Sequence, residues 1–310
     1  MNLPYFKYGR PRLAPLSSEA LALAAALRRD VTILATDIGP RGTHAPDRYA
    51  LARDFLIAAL RATGYAPVSH DYRDFQGHTC TNLEVTIPGT THPDEIVVVG
   101  AHYDSVPGCP AANDNGSGVA GLLAIARECA GLSFPRTLRL VFFANEEPPY
   151  FNVNDMGSQV YARACRARGD DIRSMLCFDT IGFYDSGEYT QSWQANKLGL
   201  VLPTTADFVA LVGPASCRSV IRRAALAFAR SKTFPLLAAA MPERIQEVLW
   251  SDHRGFIECG YPAFMITDTA LLRYAHYHQA TDTPEKLDYE SMARVVKGTQ
   301  AVVECLGGLI

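Results

Sequence analysis

Three stretches of this chain are too continuously apolar to lie on a protein surface, and each runs directly into a histidine or a carboxylate. EIVVVGA (95–101) leads into His102-Tyr103-Asp104-Ser105, TLRLVFFA (137–144) into Asn145-Glu146-Glu147, and MLCF (175–178) into Asp179-Thr180. Runs rich in β-branched and aromatic residues, without polar alternation, predict strands covered on both faces, as in a parallel sheet between helices. Ligands of open α/β sheets bind beyond the carboxyl ends of the strands. The polar residues of all three segments fall at that edge.

The rest of the chain alternates in the same sense. A helix is expected over 47–63, where Leu51, Phe55, Leu56, Ala59 and Leu60 recur at three and four and Gly64 provides the stop. Strands are expected over 66–72 and 81–87, then a helix over 118–130, a helix over 158–167, a strand over 175–181, a strand over 207–212, a helix over 219–230, a strand over 263–267 and a closing helix over 289–306. This alternation predicts a three-layer α/β/α sandwich around a twisted, mostly parallel mixed sheet. Residues 1–310 read as a single domain. Residues 1–45 read as an arm packed on it, with one helix after Ser17 and Ser18, and 185–205, rich in Gly, Ser, Thr and Gln, as a surface excursion.

Composition excludes several classes. With 48% hydrophobic and 20% charged residues the chain is neither disordered nor fibrous. A net charge of −3 offers no basic field for nucleic acid or an anionic membrane. Apolar runs such as 20–27 and 236–241 are far shorter than the ~20 residues of a membrane span. The opening MNLPYFKYGRPRL lacks the apolar core of a signal peptide. Eight cysteines stand singly at 80, 109, 129, 165, 177, 217, 259 and 305, which suits reduced thiols of a cytoplasmic protein.

Two loop residues join the strand-end group: Asp114 in Ala-Ala-Asn-Asp-Asn-Gly-Ser-Gly and His278 in Ala-His-Tyr-His-Gln-Ala-Thr-Asp-Thr. Twelve residues separate His102 from Asp114, 33 more reach Glu147, 32 more Asp179 and 99 more His278. Such gaps suit a catalytic metal centre assembled from several strands. Imidazole and carboxylate without thiolate suits Zn²⁺, with Mn²⁺ or Co²⁺ as alternatives. Asp114, Glu147 and Asp179 carry three negative charges, which two divalent ions and one hydroxide neutralise; a pair of ions about 3.5–4 Å apart polarises a carbonyl and ionises water near neutral pH. Asp114 is the candidate bridge. Of the adjacent Glu146 and Glu147, one could ligate and the other, beside metal-bound water, serve as general base. Asp104 is placed to accept the second imidazole N–H of His102, and the Tyr277 phenol to donate to an oxyanion.

Taken together, Ala101-His102-Tyr103-Asp104-Ser105, Asn113-Asp114-Asn115-Gly116-Ser117-Gly118, Asn145-Glu146-Glu147, Phe178-Asp179-Thr180-Ile181-Gly182, Ser251-Asp252-His253 and Tyr277-His278 resemble, in order, the di-zinc exopeptidases of metallopeptidase family twenty-eight. The resemblance covers roughly residues 95–305. It implies a zinc exopeptidase fold, two Zn²⁺ (one on His102 and Asp179, one on Glu147 and His278, with Asp114 bridging), Glu146 as general base and acid, Asp104 behind His102, Tyr277 at the oxyanion, and a cis peptide after Asp114. It implies an aminopeptidase acting on peptides with a free N-terminus. The segment from Pro148 to Met156 is longer than the family's link, and the first 45 or so residues match nothing in it.

Rival readings within the fold are a single-zinc glutaminyl cyclase, a carboxypeptidase with Arg254 or Arg273 on the substrate carboxylate, and a non-catalytic binding scaffold. Blander readings apply elsewhere. Ser251-Asp252-His253 reads equally as a helix start or as part of the site. Cys109 reads as an inert thiol, 115–118 as a tight turn and not a phosphate loop, and His44, His70, His78, His92 and His276 as surface residues.

Overall fold

The computed structural model describes residues 5–151, 153–193 and 202–310. In chain order the strands are β1 (Tyr5–Gly9), β2 (Val68–Arg73), β3 (Thr79–Ile87), β4 (His92–His102), β5 (Arg136–Phe143), β6 (Asp171–Phe178), β7 (Val209–Pro214), β8 (Leu236–Met241) and β9 (Ala263–Thr267). The α-helices are α1 (Ser18–Thr32), α2 (Pro46–Ala62), α3 (Gly118–Cys129), α4 (Gly157–Arg168), α5 (Arg218–Ser231), α6 (His253–Glu258) and α7 (Tyr289–Gly307).

The strands form one mixed sheet in the order β1-β8-β7-β9-β6-β4-β5-β3-β2. At its centre β9, β6, β4 and β5 are mutually parallel, and β7 is parallel to β8. Antiparallel pairings join β7 to β9 and add β1, β3 and β2 toward the edges. Alternate residues of β4 feed two cores, as a strand's period of two requires. Val97, Val99 and Ala101 pack with residues of α1, α2, α3, α5 and α7; Ile96 and Val98 pack with residues of α4 and α6. The fold is therefore α/β with helices on both faces. Because β4, β5 and β6 run in parallel, His102, Glu146, Glu147 and Asp179 emerge at one edge.

Several boundaries differ from those expected. The strand read over 175–181 begins earlier, at Asp171, and ends at Phe178, where the chain leaves the ladder toward the site. The run 236–241, read only as apolar, is β8. Its sequence LLAAAM lacks β-branched residues, so composition hides it, and pairing with β7 decides its state. Strand β1 lies in the segment read as an arm and pairs antiparallel with β8. Of the excursion read over 185–205, residues 194–201 lie outside the described residues; the remainder has neither helix nor strand. No helix among the described residues is long and apolar enough to cross a membrane. All eight cysteines are free thiols.

The N-terminal segment is built into the core. Leu27 and Val31 of α1 are fully buried, and α1 packs on α7 and α3. Beyond it, Arg41 is wholly buried. Its guanidinium donates to the carbonyls of Tyr103 (2.8 Å), Pro110 (2.8 Å) and Ala111 (3.0 Å), among others. Its own backbone exchanges hydrogen bonds with Ser105. Burial pulls its pKa down to about 10, against the pull of Asp104, so it remains a cation at neutral pH. Arg41→Leu strips these donors from buried carbonyls, and the loss is about 3 kcal/mol or more. A urea midpoint within error of wild type would contradict this account.

Candidate metal centre

The site is assembled at the end of β4. Tyr103 still bonds in register to the Phe143 carbonyl, so His102 and Asp104 lie on one side of the strand. His102 is fully buried, with Nδ1 3.3 Å from Asp104 Oδ1. Asp104 thus stands against the imidazole, where it was expected, although the pair falls short of good hydrogen-bond geometry. The Asp104 carboxylate also accepts the backbone N–H of Glu146 (3.0 Å) on Oδ1 and of Glu147 (3.1 Å) on Oδ2.

That arrangement needs the chain to turn sharply after β5, and Asn145 provides it with φ of 55°. Asn tolerates this left-handed backbone better than most residues. Its side chain is held by Tyr49, whose hydroxyl donates to Asn145 Oδ1 at 3.0 Å. Both glutamates thereby face the site: Glu146 Oε2 lies 4.0 Å from His102 Nε2, and Glu147 Oε2 lies 3.2 Å from His278 Nε2.

Asp114 sits on a loop clamped from several sides. Asp282 accepts the backbone N–H groups of Asn113 (2.9 Å) and Asp114 (3.1 Å) and the Tyr274 hydroxyl (2.8 Å). Asp268 accepts from Asn113 Nδ2 (3.0 Å), the Thr180 hydroxyl (2.6 Å) and the Phe183 N–H (2.8 Å), which joins the Asp114 and Asp179 loops. A Cβ on Gly118 would lie 2.8 Å from the Phe178 carbonyl and 2.2 Å from Asn115 Oδ1, so the tight turn requires glycine. The Asp114–Asn115 peptide is cis, as the resemblance implies; Asp179–Thr180 is cis as well.

The result is convergence. Asp114 turns Oδ1 to His102 Nε2 (3.4 Å) and Oδ2 to His278 Nε2 (3.1 Å). Asp179 Oδ2 lies 3.9 Å from His102 Nε2 on the first side. Ligand atoms of His102, Asp114 and Glu147 all lie within 4.8 Å of one another. His102 Nε2, Asp114 Oδ1, Glu147 Oε1 and His278 Nε2 are buried without a hydrogen-bond partner. Buried polar groups are normally paired. Unpaired imidazole nitrogens and carboxylate oxygens aimed at common points are a donor set that fits divalent zinc.

Charge tells the same story. Burial, reinforced by Glu147, Asp179 and Asp252, holds Glu146 well above the usual carboxylate range despite His102. Burial and then Asp114 raise Glu147 to about 7, and the same pair of causes raises Asp179 far above normal. Burial would also raise Asp114, but the two imidazoles bring it below the ordinary range. Burial opposes protonation of His278, yet Asp114 and Glu147 lift it to about 10. Protons here take up positions that cations would otherwise occupy.

Tyr277 is half-buried and stacks on His278, with ring centroids 3.9 Å apart. Ser251, Asp252 and His253 are all fully buried; the segment does begin a helix, α6, with Asp252 at the N-cap position but without a side-chain capping bond. Burial raises Asp252 to about 6, opposed by neighbouring His102 and Ser158. His253 donates from Nε2 to the Val248 carbonyl (2.7 Å) and anchors the turn. Asp268 and Asp282 were given no role by sequence. Their only signal is position, each just after a strand or beside His278. Arg254 is engaged by Glu258 (2.7 Å), and Arg273 by Gln191 (2.7 Å) and the carbonyls of Ala206 and Phe208. Burial pushes the Cys109 thiol up to about 12, in keeping with an inert residue. In the segment after Glu147, Tyr150 donates to Asp74 Oδ2 (2.6 Å) and fastens the loop to the β2–β3 turn; Asn152 lies outside the described residues.

The sequence model of Peptidase family M28 matches residues 82–303. The chain is 31% identical over 281 residues to the uncharacterized protein YfbL of Escherichia coli (strain K12), covering 88% of this chain and 85% of that protein. It is 27% identical over 230 residues to a probable leucine aminopeptidase of Trichophyton verrucosum (strain HKI 0517), covering 70% of this chain and 54% of the relative, about half its length. Among solved structures, BSAP, a zinc aminopeptidase from Bacillus subtilis, superposes with TM-score 0.69 at 16% identity, over 91% of this chain and 94% of that one. A Fimbriiglobus ruber glutaminyl cyclase superposes with TM-score 0.67 at 18% identity, over 95% and 98%. At such identities the likeness concerns the fold.

The shifts set a pH dependence for the metal-free chain. Glu147 rises from 4.5 to about 7 and His278 from 6.5 to about 10. Raised folded-state values stabilise the protein while the groups keep their protons, and that stability is lost as pH climbs through 7 and 10. Added zinc replaces those protons, so the rise in melting temperature on zinc addition is larger at about pH 8 than at about pH 5.5. Equal zinc effects at the two pH values in a thermal shift assay would refute this.

Proposed function

The chain belongs to peptidase family M28, and from that premise we propose that it is a two-zinc aminopeptidase, removing the residue at the free N-terminus of a peptide. The observation that carries the reading is the division of Asp114, one oxygen toward His102 and the other toward His278. Each side has a further carboxylate, Asp179 by His102 and Glu147 by His278. His102 and Asp179 would hold one ion, Glu147 and His278 the other, with Asp114 shared; Co²⁺ or Mn²⁺ would fit the same donors. When bound, the ions polarise the scissile carbonyl and lower the pKa of water.

Glu146 takes a proton from the attacking water and returns it to the leaving amine. Its raised affinity for protons in the metal-free site suits both halves of that task. Asp104 positions it through the Glu146 N–H. The Tyr277 phenol, kept protonated by burial and by Asp114 and Asp179, donates to the developing oxyanion. With the ligand charges balanced by two bound ions, an ionised Glu146 would leave the pocket negative, which suits a substrate ammonium. Of the two cations considered for a carboxypeptidase, Arg254 is engaged by Glu258 and Arg273 by Gln191.

Glu146→Gln should retain its zinc and lose about 10²-fold or more in turnover of aminoacyl anilides. Turnover near wild type would remove Glu146 from the scheme. Two zinc ions per chain by elemental analysis support the reading; one tightly held ion, with cyclisation of N-terminal glutamine, would replace it by a cyclase.

A further inference from the structure

Beside the candidate metal centre the sheet carries a trough of about 500 Å³ that extends well beyond it. Its near end is formed by Asp179, Thr180 and Tyr277. From there it runs across the sheet. Thr267 of β9 pairs with Ala210 of β7, which pairs with Leu237 of β8. In the next row Met265 pairs with Val212, Val212 with Ala239, and Ala239 with Phe6 of β1. Residues two apart on a strand share a face, and these all line the trough. Three interstrand steps from β9 to β1 make a floor ~14 Å long at ~4.8 Å per step. The helix on β7 and β8, α5, covers the opposite face, where Leu211, Ala238 and Ala240 belong to the larger core.

The walls are apolar too. The chain's two tryptophans, Trp193 and Trp250, both line the trough, with Leu271. Phe6, Trp250 and Leu271 are among the large apolar side chains left exposed. Apart from Asp179, the charged residues on the lining are Arg244 and Glu247, of opposite sign. Exposed apolar surface gathered around a cavity marks a ligand site.

We propose that this trough receives the side chain on the carbonyl side of the scissile bond, and that the preferred substrates begin with an apolar side chain longer than leucine. The inference rests on the aminopeptidase reading for its chemistry and on the trough for its specificity. The small residues Ala210 and Ala239 leave the length free, and each buried methylene adds about fourfold to kcat/KM.

The test is a series of 2-aminoalkanoyl anilides from alanyl through leucyl to 2-aminodecanoyl, assayed with the zinc-loaded full chain. We expect kcat/KM to keep rising beyond leucyl, by about fourfold per methylene. A maximum at leucyl or shorter overturns the proposal. In Ala239→Phe the ratio of the 2-aminodecanoyl to the leucyl rate should fall at least tenfold; an unchanged ratio overturns it. Tryptophan emission gives a readout independent of turnover, since both indoles line the trough. A saturable change with free 2-aminodecanoic acid and none with alanine supports the proposal, even where no anilide is cleaved and the aminopeptidase reading fails. Identical titrations with the two amino acids overturn it, even where anilides are cleaved.

Discussion

An excess of buried negative charge governs the carboxyl edge of this sheet. Asp104, Asp114, Glu146, Glu147 and Asp252 are all buried within one small volume, with Asp179 half-buried beside them. Removing charges from water costs several kcal/mol each unless other charges or hydrogen bonds compensate. The chain compensates differently at each position. Asp104 receives two backbone N–H groups, and Asp114 faces two imidazoles. Glu146, Glu147 and Asp179 are left to bind protons or metal.

The scaffold around them is arranged to resist their mutual repulsion. Arg41 ties the β4 end to the loop before Asp114 from within the core, and Asp282 and Asp268 hold that loop by its backbone. None of these groups need touch a substrate. Their common effect is to keep the like-charged side chains from separating, so that cations become the favourable partners. Rigid support of this kind is what a metal site requires beyond its ligands.

Much of this was legible in the sequence, because the physics involved is local. Valine-rich β4 and aromatic β5 announce burial, and polar residues placed directly after them can only emerge at the strand ends. What was hidden depends on partners far along the chain. Nothing in LLAAAM distinguishes a strand from a helix until β7 lies beside it. Asp104 was read as a partner of nearby His102, against which it stands, but its bonds to the backbone of Glu146 and Glu147 come from some forty positions later. Arg41 looked like part of an appended arm because its partners, between Leu34 and Ala111, meet only once the chain has folded. Asp268 and Asp282 resemble ordinary loop acids until Asn113 is placed between them.

Asp104 has a consequence for how the centre can move. One carboxylate spans the N–H groups of both glutamates and stands against the imidazole of His102. Glu147 faces His278, so elements from both halves are geared to a single pivot. The tip of β4 is thus joined directly to the turn after Asn145. Loosening Asp104 would therefore disturb both glutamates and the imidazole together.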